Sequence, residues 1–497
     1  MPFALSWSYT PLGALVSLTL FVLHLLVVVR AITRPNRAPA SRIAWVAVIM
    51  FLPVLGIIAY LLLGETSIGH ERIKRLREAE ARMTLPDDEA FSPLPLKPHL
   101  APLFDLARSI NGYHAVDGNR IALLGDPDAP PSAPKIDSNI AIETLIADIE
   151  RAREHVHISF YIWLDDHHGG RVADAVAAAA GRGVACRVMA DALGSHTFIH
   201  SPRWRQLRDA GVKLVATLDD VPRLGHVAIG RVDLRNHRKI VVIDNRIAFF
   251  GSQNCADPEF RIKPKFAPWV DVLLRCEGPI VRQLQHLFLC AWIAETGEPL
   301  EALPVAAPVV ERCDANAVAQ MFGTGPTTRN NAMSDMFVAC LYAAREELLI
   351  TTPYFVPDEA ILRALCAAPR RGVKASIIFP ARNDSWLVDN ACHSTWGDLL
   401  ASGVAVYEYP LGLLHTKSMT IDGEVALVGS ANMDRRSLEL NYENNLLVAD
   451  RAVTAAIVQR QRTYLAASHP ATPDMLSAHP FHTRLVQNAI GMMAPLL

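Results

Sequence analysis

Two short stretches of this chain carry residues that could do chemistry, at matching offsets. His237, Lys239, Asp244, Gly251, Ser252 and Asn254 in the first answer to His415, Lys417, Asp422, Gly429, Ser430 and Asn432 in the second. A lone His-x-Lys is an ordinary exposed strand pair, whereas two copies, each completed by Asp and Gly-Ser-x-Asn, form a specific signal. Residues i and i+2 of a strand share a face, so His237 points with Lys239 and His415 with Lys417. A metal site is disfavoured, because lysine is a cation without a free lone pair and repels a metal from the neighbouring histidine. Lys, Asn and Ser donors grouped around His suit an anion instead, and phosphate is the natural one. Histidine then serves as nucleophile on phosphorus or as general acid and base, and two copies supply one of each.

The elements that must position these residues follow from the local patterns. Ile240 to Ile243 and Met419 to Ile421 read as strands. Asp-Asn and Asp-Gly turn signals lead into second strands at Ile247 to Phe250 and Val425 to Val428, so each motif is a β-hairpin. Asp244 and Asp422 belong to the motif, but sit where strand meets turn and read as structural, closing the hairpin or pairing with a base. Gly-Ser-x-Asn is a tight bend that returns a hydroxyl and an amide beside the histidine.

Around the motifs runs an internal repeat. The first copy has a helical pattern at 142–149, a strand at 156–162, a small-residue helix at 171–181 and a strand at 183–190. The second has matching segments at 336–342, 348–352 and 372–379. Helices alternating with strands in this way predict α/β sandwich domains with mixed sheets.

Length and composition bound the rest. A chain of 497 residues holds about three ordinary domains or two large ones. A net charge of -2 gives no basic excess, which disfavours nucleic acid as a partner. The hydrophobic content of 51% is high for a soluble protein. It concentrates in two apolar stretches, about 12–29 and 43–63, which predict a transmembrane hairpin. Arginines 30, 34, 37 and 42 between them favour keeping that loop inside. Arg72, Lys74, Arg75, Arg77 and Arg82 after the second stretch pull the other way, so positive-inside counting leaves the orientation open. Residues 65–82 predict a charged juxtamembrane helix, 86–102 a proline-rich acidic linker and 126–134 a proline-rich turn region. Eight scattered cysteines without a Cys-x-x-Cys pair read as small buried hydrophobes. No phosphate-binding Gly-Lys-Ser/Thr loop and no Gly-x-Gly-x-x-Gly follows a strand, so no nucleotide or other cofactor is expected.

The doubled His-x-Lys, Asp and Gly-Ser-x-Asn signature resembles that of the phospholipase D superfamily. Within it the chain is similar to the bacterial cardiolipin synthases, on the apolar hairpin, Thr352-Pro-Tyr-Phe-Val-Pro-Asp358, Trp269-Val-Asp271, Asn432-Met-Asp-Arg-Arg-Ser437, Leu440-Asn-Tyr-Glu443 and Pro495-Leu-Leu497. The resemblance implies two tandem phospholipase D-like domains, at 137–300 and 301–497, after a hairpin at 1–64 and a juxtamembrane helix and linker at 65–136. It implies phosphatidyl transfer between two phosphatidylglycerol molecules to give cardiolipin and glycerol, in a bacterial inner membrane crossed more than once. A hydrolase of the same superfamily, in which water resolves the intermediate, and an inactive membrane scaffold are the alternatives.

By the same resemblance His237 is the nucleophile and His415 the acid and base. Lys239, Lys417, Asn254 and Asn432 hold the nonbridging oxygens with Ser252 and Ser430 assisting, and Asp271 and Glu443 orient the histidines. His155 and His157, His167 and His168, and His196 and His200 lack a complete ligand set and read as loop or surface histidines. Tyr161 with Trp163, and Tyr354 with Phe355, follow matching strands and suit either a lipid entrance or the core. The tail from Phe481 is amphipathic, with packing on the catalytic body as the default and membrane contact as the alternative.

Overall fold

The computed structural model describes residues 11–35, 39–64, 70–86, 96–130, 133–219, 233–260, 262–303, 313–315, 317–478 and 480–493. Part of the arginine loop, part of each proline-rich stretch and Pro495-Leu-Leu497 lie outside these residues. Two compact units divide the chain, one holding the N-terminal segment to residue 69 and the other most of the rest.

In the N-terminal unit, α1 (Pro11–Thr33) is the one helix among the described residues long and apolar enough to cross a membrane. The second apolar stretch does not form the single span that its composition predicts. It breaks into α2 (Pro39–Phe51) and α3 (Pro53–Ala59), the latter running into a wider turn at Tyr60–Gly64. The break lies at Pro53, which has no N–H to donate and pushes the residue before it out of helical geometry. Leu52 accordingly sits at φ -126°, ψ 71°. Val27 and Ala31 of α1 pack with Trp45, Ile49 and Tyr60 in a small core of their own.

The larger unit is organised by one sheet. Its first half contributes β1 (Val116–Leu123), β2 (His155–Phe160), β3 (Ala185–Asp191), β4 (Lys213–Thr217), β5 (Ile240–Ile243), β6 (Ile247–Gly251), the short β7 (Trp269–Val270) and β8 (Leu273–Glu277). Its second half contributes β9 (Ala317–Thr324), β10 (Glu347–Thr351), the short β11 (Phe355–Val356), β12 (Lys374–Pro380), β13 (Ala405–Tyr409), the short β14 (Leu413–Leu414), β15 (Ser418–Ile421), β16 (Val425–Gly429), the short β17 (Met433–Asp434), β18 (Glu443–Ala449) and β19 (His469–Pro470). The main sheet runs β19-β13-β12-β10-β15-β16-β18-β9-β1-β8-β6-β5-β2-β3-β4. β2, β3 and β4 are parallel, as are β10, β12 and β13, and the inner strands are antiparallel. The mixed α/β architecture expected from the repeat is therefore present, but its halves are joined in the middle through β1 and β9.

That join revises the expected linker. Residues 65–136 hold α4 (His70–Arg82), the helix Ala101–Asn111 and β1, which pairs with β8 on one side and β9 on the other. β1 lies between the two proline-rich stretches, and its Val116 and Ile121 are buried within the sheet. A core continuous across the seam includes Phe288 and Trp292 from the helix Ile280–Thr296 together with Val428 and Leu446 of the second half.

Both predicted hairpins form. Asp244 and Asn245 have φ of 53° and 51°, and Asp422 and Gly423 have 53° and 62°. Two consecutive left-handed residues make the turn whose twist suits a two-residue hairpin, and Asp, Asn and Gly tolerate that conformation best.

Candidate active site

Each motif glycine ends its hairpin where another strand presses close. A Cβ on Gly429 would lie 2.7 Å from the Asn445 Cα, and one on Gly251 would lie 3.1 Å from the Leu273 Cα. The chain then turns, and Ser252 donates its backbone N–H to the Val272 carbonyl at 2.9 Å as Ser430 does to Asn444 at 2.9 Å. Val272 follows Asp271 and Asn444 follows Glu443. Each Gly-Ser bend thus braces the strand that bears a carboxylate of its own half.

Those carboxylates serve the other half. His237 Nδ1 lies 2.8 Å from Glu443 Oε2 and 3.0 Å from Oε1, and His415 Nδ1 lies 2.8 Å from Asp271 Oδ1. Short parallel pairings set the crossing. Leu413 and Leu414 pair with Trp269 and Val270, and Asn236 bridges to Tyr442, so each histidine leaves its pairing beside the opposite carboxylate. The His415 N–H donates to the Val270 carbonyl at 2.8 Å and that of His237 to the Tyr442 carbonyl at 2.9 Å. Lys239 Nζ and Lys417 Nζ donate to the carbonyls of His237 and His415 at 2.7 and 2.6 Å, which holds both ammonium groups beside the rings.

The serines stand differently from their expected phosphate-holding place. Ser430 Oγ donates to Glu443 and accepts the Asn444 N–H at 3.0 Å, and Ser252 Oγ accepts the Val272 N–H at 3.0 Å. They support the carboxylates from behind. Asn254 accepts the Ile162 N–H at 3.3 Å, and its buried Nδ2 has no hydrogen-bond partner among the described residues. Asn432 Oδ1 is likewise without one, although its backbone N–H donates to Ser437.

Asp244 and Asp422 stand away from this constellation. Asp244 accepts the N–H groups of Arg153, Glu154 and His155 at 2.8–2.9 Å. Asp422 does the same for Arg345, Glu346 and Glu347 at 2.8–3.0 Å. Neither is committed to a basic side chain. Each ties its hairpin turn to the start of the strand beside it, β2 or β10, which is the structural role expected of it, and neither takes part in the histidine–lysine constellation.

Burial decides the charge states. It pushes His237 down to about 4 and also lowers His415, against the pull of Glu443 and Asp271. Burial would raise Glu443, but His237, Lys239 and Ser430 outweigh it and hold the carboxylate at about 2; Asp271 is lowered in the same way by His415 and Lys417. The free site therefore pairs neutral imidazoles with ionised carboxylates. Burial also depresses Lys239 to about 8 and, with some repulsion from Lys239, Lys417 to about 7. Glu443 and Asp271 offset part of that loss, and a further anion at the site would favour both ammonium forms.

Aromatic residues divide between site and core. The Tyr161 ring meets His237 edge-on at 5.0 Å and the Tyr354 ring meets His415 at 6.2 Å. Trp163 and Phe355 are wholly buried. Two groups escaped the sequence reading: Trp269, 4.6 Å from the His415 ring, and Asn444, whose Oδ1 accepts the Lys239 N–H at 3.0 Å. Their adjacency to Asp271 and Glu443 was the available signal. His155 and His157, expected in a loop or at the surface, are instead buried in β2. There His157 bonds Gln285 at 3.0 Å and stacks on Phe288 at 4.7 Å. No group able to hold a metal ion occurs among the described residues.

A family model described as the cardiolipin synthase, PLD-like domain, matches the chain twice, over residues 145–270 and 337–464. The chain belongs to this family. A model for a phospholipase D-nuclease N-terminal region matches residues 22–65. Curated relatives include cardiolipin synthase A of Cronobacter sakazakii, 36% identical over 98% of this chain and 99% of that protein. Cardiolipin synthase A of Escherichia coli O157:H7 is 36% identical over 93% of this chain and 94% of its own. Among solved structures, phosphatidylserine synthase from Haemophilus influenzae Rd KW20 matches 85% of this chain and 100% of its own at 13% identity with a TM-score of 0.55, a likeness of fold. The paired PLD-like domains of the family correspond to the two halves that exchange carboxylates here.

Proposed function

We propose that this protein is a cardiolipin synthase, joining two phosphatidylglycerol molecules into cardiolipin with release of glycerol. The observation that carries the reading is the pair of buried histidines, each oriented by a carboxylate from the other half and flanked by a lysine, in a chain whose full-length relatives bear that name.

His237 Nε2 attacks phosphorus while the glycerol oxygen leaves on the opposite side and takes a proton from His415. His415 then removes the proton from the terminal hydroxyl of a second phosphatidylglycerol, whose oxygen attacks phosphorus and displaces His237. One phosphorus–oxygen bond is exchanged for another, so no nucleotide is consumed. Glu443 keeps the His237 Nδ1 protonated and its Nε2 free to attack. Asp271 favours the imidazolium of His415, and the negative phosphodiester arriving beside it favours that state further. Lys239, Lys417 and Asn254 Nδ2 take the nonbridging oxygens, which satisfies donors otherwise buried at a cost. Asn432 is assigned the matching role in the other half, through its side-chain N–H donors.

We place the two catalytic domains at 137–300 and 301–497, with β1 as a strand contributed from the preceding region. The N-terminal segment crosses a bacterial inner membrane more than once, α1 as one span and α2 with α3 as a broken return. The test of function is to reconstitute the full chain in vesicles with phosphatidylglycerol labelled in its terminal glycerol and in its acyl chains. Cardiolipin and free glycerol in equal amounts are expected. Phosphatidic acid without cardiolipin would replace the reading with a hydrolase, and no turnover of any lipid would replace it with a scaffold.

A further inference from the structure

The loops tied to the two histidines carry large apolar side chains that nothing in the larger unit covers. On the His415 side, Trp386 is 64% exposed, Leu387 44% and Ile262 54%. They come from two separate loops that are locked together and to the catalytic centre. Lys263 Nζ reaches Asp384 Oδ2 at 2.6 Å, and the other oxygen of Asp384 accepts the Tyr354 hydroxyl at 2.6 Å, below the ring that meets His415. Phe260 stacks on Trp269 at 3.9 Å, and Trp269 lies against His415, so the loop bearing Ile262 is anchored from inside. Asn383 ties the other loop to the Pro353 carbonyl at 2.9 Å, and Ser385 caps the helix that presents Trp386.

The His237 side repeats the arrangement in smaller form. Leu193, 58% exposed, follows β3 as Trp386 follows β12. Asp191 accepts the Leu193 N–H at 3.0 Å with one oxygen and the Asn236 N–H at 2.9 Å with the other, one residue before His237. Apolar exposure therefore occurs after a parallel strand in each half, on a segment tied to that half's histidine.

Charge selects the occupant. Lys263, Lys265 and Arg382 are exposed among these apolar residues. The carboxylates nearby are Asp384, buried under Lys263, Glu259, paired with Lys135 at 2.5 Å, and Asp389, 3.7 Å from His393 on the helix that presents Trp386, so the exposed charge that no carboxylate offsets is basic. A protein partner would call for a contiguous apolar patch. Single apolar side chains, one of them tryptophan, spaced among lysine and arginine, are instead the composition of a surface lying at the level of lipid headgroups.

We propose that Leu193, Ile262, Trp386 and Leu387, with Lys263, Lys265 and Arg382, form a collar that seats the mouth of the cleft in the headgroup layer of an anionic bilayer. The site then receives lipid from the membrane plane without passing through water. The inference rests on the lipid-transferring function proposed above, and its test separates the two.

The full chain is reconstituted in vesicles containing phosphatidylglycerol with brominated acyl chains, and tryptophan quenching is compared between the wild type and Trp386→Phe. The wild type should show an additional quenched component that the variant lacks. In mixed micelles, Trp386→Ser/Leu387→Ser should lower turnover of long-chain phosphatidylglycerol at low surface fraction by about tenfold. Turnover of a short-chain, monomeric phosphatidylglycerol should stay unchanged. Equal loss on both substrates, or no quenched component from Trp386, would overturn the collar, as would a change of oligomeric state in the variant, which would make a second copy the occupant. Quenching of Trp386 in a protein that forms no cardiolipin would keep the collar and reject the function.

Discussion

Glu443 of the second half accepts the Nδ1 hydrogen of His237 of the first at 2.8 Å, so neither half alone holds a complete histidine–carboxylate pair. Replacing it with glutamine keeps the shape and removes the charge that sets the tautomer. Glu443→Gln is expected to slow cardiolipin formation by about a hundredfold or more at unchanged fold. Initial rates with labelled phosphatidylglycerol, beside a melting curve, decide it; a loss below threefold would remove Glu443 from the mechanism.

The assignment of roles to the two histidines has a direct readout. Quenching in neutral denaturing detergent, which spares the acid-labile phosphorus–nitrogen bond, during turnover of phosphatidylglycerol labelled at phosphorus should leave label on the peptide containing His237 and none on that containing His415. His237→Ala should abolish the labelled peptide. Label on His415 in the wild type would reverse the roles.

Asp244 and Asp422 should act on stability alone. Asp244→Ala abandons three main-chain N–H groups at the entry to β2, so a loss of about 2–3 kcal/mol is expected. Activity per folded molecule should stay within a few fold. Denaturation midpoints and active-site-normalised rates measure the two separately, and a variant as stable as wild type but inactive would contradict the assignment.

Acid should weaken the fold through the catalytic pair. Native His237 stays neutral down to about 4, whereas the unfolded chain binds that proton near 6.5. Stability is therefore lost as pH falls from 6.5 to 4. Glu443, held at about 2 against 4.5 when unfolded, adds a loss as pH falls from 4.5 to 2. The melting temperature should fall steadily from pH 7 to 4, and His237→Asn should flatten the upper part of that fall. An unchanged slope in the variant would show that the acid sensitivity lies elsewhere.

How much of this was written in the sequence can be judged residue by residue. His237 and Lys239, like His415 and Lys417, were legible because strand periodicity puts i and i+2 on one face. The turns at Asp244 and Asp422 were legible because few residues tolerate a left-handed backbone. Local chemistry of this kind depends on neighbours along the chain, and so it survives being read without coordinates. The second apolar stretch shows where such reading fails: composition counted Pro53 as tolerable in a span, while backbone hydrogen bonding made it a break.

What only the tertiary structure decided are the pairings across long separations. Asp271 lies 144 residues from His415 and Glu443 lies 206 from His237, and the symmetry of the two motifs makes same-half and crossed pairings look alike in sequence. The β1–β9 seam and the short pairings at Trp269–Leu413 and Asn236–Tyr442 choose the crossed arrangement. Burial, also a property of the whole fold, then sets the charges: it lowers both histidines and weakens two lysine ammonium ions that an entering phosphodiester would restore.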